Sequence, residues 1–122
     1  MAIMNENNYR NAMGIFVPKN WEKRKKMEVV MKLKGKVAVI TGAGAGYGMS
    51  RGFPTIYAQE GADLVLNYYG DAQEKMDAFK KELESYGSRV ILQEGDISKP
   101  EVAENLIKTA IDNFGRIDIL LN

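Results

Sequence analysis

The stretch KVAVITGAGAGYGMSRGFP, residues 36 to 54, carries most of what this sequence discloses. A short apolar run ends at Thr41, five glycines follow within residues 42 to 52, and Pro54 stands where a helix should be under way. The apolar run reads as a strand buried on both faces. Glycine lacks the side chain that would hold a phosphate away from the backbone, and it permits the positive φ of a tight strand-to-helix turn. The amides at the start of the following helix then point at an arriving anion. No Gly-Lys-Ser/Thr follows, which argues against a nucleoside-triphosphate loop and leaves a dinucleotide pyrophosphate. A glycine-rich turn alone could equally be a loose loop, so its surroundings decide.

Outward from this stretch, strands and helices alternate. DLVLNY, RVILQ and IDILLN repeat the buried-strand appearance of KVAVIT. One helix is expected after Asp71, read as its N-cap with Glu74 completing a capping box. Its inner face is Ala72, Met76, Phe79, Leu83 and Tyr86, and Gly87 ends it. Another is expected from Ser98 as cap, with Pro100 in the first turn and Glu101 completing the box. Its apolar positions are Val102 or Ala103, Leu106, Ile107, Ala110, Ile111 and Phe114, all read as core, with Gly115 past the end. The helix after the glycines is expected near Gly52, which places Pro54 in its first turn and lengthens the loop before it. Strands joined by helical crossovers pair in parallel. The expected fold is α/β, a Rossmann-type doubly wound parallel sheet over residues 33–122, incomplete at the C-terminus. Ligands in such sheets bind beyond the carboxyl ends of the strands.

Residues 1–32 are a different kind of sequence. Up to Gly35 the chain has eight Lys or Arg against three Glu, a balance of +5, whereas from Lys36 onward nine stand against thirteen Asp or Glu, a balance of −4. The first segment reads as a basic, loose extension. Its run Lys23, Arg24, Lys25 and Lys26 has no aromatic or apolar companion face, which argues against a nucleic-acid patch. With 122 residues, 45% hydrophobic and 27% charged, the chain is at most one ordinary globular domain. It contains neither cysteine nor histidine, which removes thiolate chemistry and the commonest metal ligands and general bases. No metal site is expected. No secretory signal or membrane-spanning run is present, so a cytoplasmic address is expected.

TGAGAGYG resembles the T-G-x-x-x-G-x-G loop of the short-chain dehydrogenase/reductase family. LKGKVAVITG, EGADLVLNY, EGDIS and FGRIDILLN resemble, in order, that family's first strand, second strand, third-strand loop and fourth strand. The resemblance implies that Gly42, Gly46 and Gly48, with Tyr47 between the last two, shape a pyrophosphate loop. It implies that Asp96 accepts from the adenine amino group with Ile97 alongside, and that Asn122, counted with the cofactor-binding residues, mainly ties the sheet together. Tyr68 stands at the end of the second strand, where an acidic residue would bind the ribose hydroxyls of NAD and a nearby Arg would welcome the 2′-phosphate of NADP. Ala45 occupies a position where members preferring the phosphorylated cofactor often carry Arg. NAD and NADP both stay open.

The family's catalytic Ser, and its Tyr with Lys four residues on, lie beyond the fourth strand, so no catalytic residue is assigned. Arg116 and Asp118 are read as surface charges. IDILLN reads as an interior strand rather than an edge, so the chain is expected to be part of a protein of roughly 250 residues. The intact protein is expected to be an NAD(P)-dependent oxidoreductase, a homo-oligomer acting on a carbonyl or alcohol substrate, with the 122 residues alone inactive. Two alternatives stand beside it: a non-catalytic dinucleotide sensor or relic, and an interaction module working through the basic arm.

Overall fold

A computed structural model of the chain describes residues 31–122. Lys32–Asn122 form one compact unit, and the basic segment expected at the N-terminus lies outside the described residues apart from its last two. The seven elements are β1 (Val37–Ile40), α1 (Met49–Gln59), β2 (Asp63–Tyr68), α2 (Gln73–Glu84), β3 (Val90–Glu94), α3 (Pro100–Phe114) and β4 (Ile119–Leu121).

All four residues of β1 are buried, because the strand has a neighbour on each edge and helices over each face. The sheet order is β3-β2-β1-β4, and every pair is parallel, with Val39 opposite Val65 on one side and Leu120 on the other. The chain moves outward twice from β1, through α1 and then α2, before α3 carries it back across to β4. That reversal puts a switch point at the carboxyl ends of β1 and β4, where a doubly wound sheet opens a crevice. The α/β class and parallel sheet read from the sequence are those of the structure.

Alternate strand residues divide the core in two. Ala38, Ile40, Leu64 and Leu66 face Ala58 of α1 and Met76, Phe79 and Leu83 of α2, while Val39 and Val65 face Leu106 and Ala110 of α3. Full burial of a Leu, Met or Phe contributes about 1.5–3 kcal/mol, so the first layer carries most of the stabilisation. Three residues expected in the core are not there, the first being Ala72, which is exposed as the N-cap of α2. Ile107 and Ile111 stay exposed on α3, since they lie one stripe round from Leu106 and Ala110, and four strands give that stripe nothing to pack on.

Three helix starts also differ from expectation. α1 begins at Met49, capped by Gly48 with φ 79°, and Pro54 lies inside it. The N-cap of α2 is Ala72 rather than Asp71, and that of α3 is Lys99 rather than Ser98, neither with a side-chain capping bond. In both cases the expected cap bonds elsewhere, Asp71 accepting from Ala45 N–H. Ser98 donates through its backbone N–H and its hydroxyl to Asp96 Oδ1 at 3.0 and 2.7 Å. Gly115, at φ 75°, closes α3 as expected. No helix among the described residues is long and apolar enough to cross a membrane.

Asp118 is more than the surface charge it was expected to be. Its Oδ2 accepts from Val37 N–H at 2.8 Å and its Oδ1 from Arg116 at 2.5 Å, while its own N–H donates to Val37 O at 2.9 Å. It thereby joins the first residue of β1 to the entry of β4. The bond from Arg116, then that from Val37, holds its carboxyl below the usual carboxylate range. A depressed folded value stabilises above the unfolded pKa of about 3.9 and is lost as pH falls through the folded value. Denaturant titrations from pH 5 to pH 2 are therefore expected to show a shallower loss of stability in Asp118→Asn than in the unaltered chain.

Candidate functional site

Beyond the end of β1 the backbone amides divide into two groups. The first three past Gly42 are spent on the protein itself. Ala43 N–H donates to Asn67 O at 2.9 Å and Gly44 N–H to Ser50 O at 3.0 Å, and Ala45 N–H donates to Asp71 Oδ2 at 3.2 Å. Pro54 accounts for the second bond. Lacking an N–H, it cannot take the Ser50 carbonyl that an ordinary helix would bond at that step, and the loop amide takes it instead. The proline expected to displace the helix start therefore fastens the glycine loop to the helix.

The next amides, those of Gly46, Tyr47, Gly48, Met49 and Ser50, have no acceptor among the described residues. They span the end of the loop and the first residues of α1, where unpaired N–H groups and the helix dipole favour an anion. Gly42 and Gly48 need glycine for their backbones, at φ 64° and 79°. Gly46 does not; a Cβ built there meets nothing within 4 Å, so its bare side opens on space. Tyr47 and Met49, on either side of Gly48, are 98% and 74% exposed.

Two cavities flank the loop. One of about 320 Å³ runs from Gly46 toward Asn67, Gly95, Asp96 and Ile97. Another of about 990 Å³ lies beside Tyr47, Arg51, Gly70 and Lys75. Gly46, Tyr69 and Asp71 line both. Of the residues expected at the site, Gly42, Gly46, Asp96 and Ile97 share the smaller cavity and Tyr47 lines the larger, with Gly48 shaping the turn between them.

Asp96 uses only one of its two carboxylate oxygens in bonds among the described residues. Oδ1 accepts both bonds from Ser98, Oδ2 has no such bond among the described residues, and the Ser98 bonds hold the carboxyl below its ordinary range. Gly95 sets its position, because a Cβ there would lie 2.7 Å from Val102 Cγ1 of α3. Asn67, 2% exposed, donates through Nδ2 to Gly95 O at 3.1 Å, so the loop after β3 is held by β2. Asn122, just past β4, accepts from Thr41 Oγ1, just past β1, through its Oδ1 at 2.7 Å.

Tyr68 is not brought to either cavity. Its ring is buried and its hydroxyl donates to Gln73 Oε1 at 2.6 Å, with burial first and Glu94 second raising its phenol above the ordinary value. Tyr69, the next residue, takes the place expected of it. Asp71 and Arg51 line the candidate site as well, and sequence reasoning missed them. Arg51 Nη1 donates to Ala45 O at 3.2 Å, Nη2 pairs with Glu82 of α2, and the guanidinium lies 4.7 Å over the Phe79 ring. It ties the loop to α2.

Comparison with known proteins agrees with this geometry. The model of a family described as short chain dehydrogenase matches residues 36–122. General stress protein 39 of Bacillus subtilis is 38% identical over 91 residues, covering 75% of this chain and 31% of that protein. An uncharacterized oxidoreductase of Methylorubrum extorquens is 36% identical over 91 residues, covering 75% and 36%. A solved short-chain dehydrogenase/reductase from Burkholderia xenovorans is similar with a TM-score of 0.63 at 33% identity, over 74% of this chain and 36% of its own. Another, from Serratia marcescens, gives 0.64 at 25% identity over 72% and 35%. The chain spans about a third of the length of the curated relatives it matches.

The contact between Gly95 and Val102 is testable. Gly95→Ala forces a methyl into a filled space and is expected to cost about 1–3 kcal/mol, read as a lower denaturant midpoint with the slope unchanged.

Proposed function

Because the chain belongs to the short-chain dehydrogenase family, we propose that residues 33–122 bind the dinucleotide cofactor, NAD or NADP, of an oxidoreductase whose intact form transfers hydride between the nicotinamide and a carbonyl or alcohol carbon. The observation that carries this reading is the row of amides from Gly46 to Ser50 without acceptors among the described residues, beside a glycine whose missing Cβ leaves open space. A pyrophosphate fits such a row. Its oxygens accept several N–H bonds at a helix N-terminus, where the dipole adds attraction.

The remaining residues divide the work of binding. Asp96 is ionised at neutral pH and so accepts only, which suits an adenine amino group at Oδ2. Ile97 supplies an apolar side for the base. Asn122 and Thr41 hold the ends of β4 and β1 together at the switch point, next to where the cofactor's other half would pass. When bound, the nicotinamide supplies the hydride chemistry; these residues bind and orient it. No tyrosine in the sequence has a lysine four residues on. In this proposal, the groups that hold substrate and move its proton come from the length of the relatives that this chain does not span. The proposed intact enzyme is a cytoplasmic homo-oligomer.

Titrating the chain with NADH while following nicotinamide fluorescence tests the reading. Saturable binding below millimolar concentration is expected, and Gly46→Val, which fills the open space without altering a positive-φ position, is expected to abolish it while leaving the circular dichroism unchanged. A folded sample that binds neither NADH nor NADPH would remove the proposal.

A further inference from the structure

One carbonyl of the glycine loop is held by a side chain rather than by backbone. Ala45 O accepts from Arg51 Nη1 at 3.2 Å, while the Ala45 N–H, on the preceding peptide, is held by Asp71. Arg51 is itself gripped from α2. Its Nη2 pairs with Glu82, and the guanidinium lies 4.7 Å over the ring of Phe79, which is buried. A charge so engaged is poorly placed to serve a ligand. Its effect falls on the carbonyl it bonds.

A trans peptide is planar, so its C=O and N–H point in opposite directions, and no cis peptide occurs among the described residues. The N–H opposite the Ala45 carbonyl is that of Gly46, the first in the row of amides without acceptors among the described residues. Holding the carbonyl therefore aims that N–H. The backbone alone would not. Gly46 is not among the glycines with positive φ, and a flip of the Ala45–Gly46 peptide would carry its φ toward that region, which glycine enters about as readily as negative φ. The flipped peptide would turn an oxygen, not a hydrogen, toward an anion. We infer that Arg51 is the positioning residue of the anion site: it holds the Ala45–Gly46 peptide in the orientation that offers Gly46 N–H to a diphosphate, so that α2 takes part in cofactor binding through Glu82. The inference rests on the dinucleotide reading above.

A direct phosphate contact by Arg51 is the competing role, and the two differ in sign at Glu82. If the guanidinium bound the phosphate itself, neutralising Glu82 would free its charge and tighten binding. If it acts through Ala45, the same change loosens its anchor and weakens binding. Lysine separates them too. Its single ammonium keeps the charge but lacks the planar fork that reaches a carbonyl and a carboxylate together while lying on a ring.

The test is NADH titration of the full chain, Arg51→Lys and Glu82→Gln, with circular dichroism as the check on folding. Beside it, the nuclear Overhauser effect between Ala45 Hα and Gly46 N–H in the free chains reports how that peptide is turned. Arg51→Lys is expected to weaken NADH binding about tenfold, the scale of one hydrogen bond to a charged group, and as much at high salt as at low, since screening acts on direct ion contacts. Glu82→Gln is expected to weaken it about threefold. Arg51→Lys is also expected to change the Ala45–Gly46 effect while the Ala43 and Gly44 amides stay protected from hydrogen exchange. Tighter NADH binding by Glu82→Gln, full affinity in Arg51→Lys, or an Ala45–Gly46 effect that Arg51→Lys leaves unchanged would overturn the inference. A peptide that turns as expected in a chain that binds no NADH even unaltered would count against the dinucleotide reading itself, which separates the two claims.

Discussion

The Ser50 carbonyl is the point on which the glycine loop is set. In an unbroken helix it would bond the amide four residues on, but that residue is Pro54, and the carbonyl instead accepts Gly44 N–H. One residue to either side, Ala43 is held by Asn67 O and Ala45 by Asp71. Three consecutive amides thus fasten the loop to α1, to β2 and to the turn after β2. The five amides that follow have no partner among the described residues, and the proposed anion site is a consequence of how the loop is held. Arg51 adds a fourth tie, from α1 through the Ala45 carbonyl to Glu82 and Phe79 of α2.

The sheet gives that loop its place. β1 is flanked by β2 and β4, so the backbone leaves its carboxyl end at the crevice where the strand order turns. Asp118 registers the start of β4 against β1, and Thr41 with Asn122 registers the other end. On the outer side, packing is unequal. The face under α1 and α2 is filled from Ala38 to Leu83, whereas α3 uses only part of its apolar surface and Leu120 of β4 remains 58% exposed.

Much of the fold could be read from the sequence because its signals are local. The continuous apolar strands, the Gly115 stop, and the glycines of the turn all follow from the needs of single residues. What could not be read depended on neighbours distant in sequence. Asp71 with Glu74 three residues later has the form of a capping box, and nothing in that spacing reveals that Ala45 is nearby. Ser98 with Glu101 misleads likewise, since the competing oxygen is that of Asp96. Pro54 reads as a helix-breaking residue until Gly44 is seen to use the carbonyl it frees. Periodicity identified Ile107 and Ile111 as apolar, but it does not say which stripe a neighbour covers. Of the site, the loop glycines and Asp96 were legible, Tyr68 was one residue off the cavity wall, and the roles of Asp71 and Arg51 were hidden.

The loop amides divide sharply between those that hold the loop and those without an acceptor among the described residues, which the proposal gives to a phosphate. Residue-resolved amide hydrogen exchange over residues 43–50 tests it most directly. The free chain should show Ala43, Gly44 and Ala45 protected and Gly46, Tyr47 and Gly48 exchanging freely, with the second group slowing when NADH is added. Uniform exchange along the loop, or an added dinucleotide that leaves Gly46 to Gly48 unchanged while protecting some other surface, would contradict it.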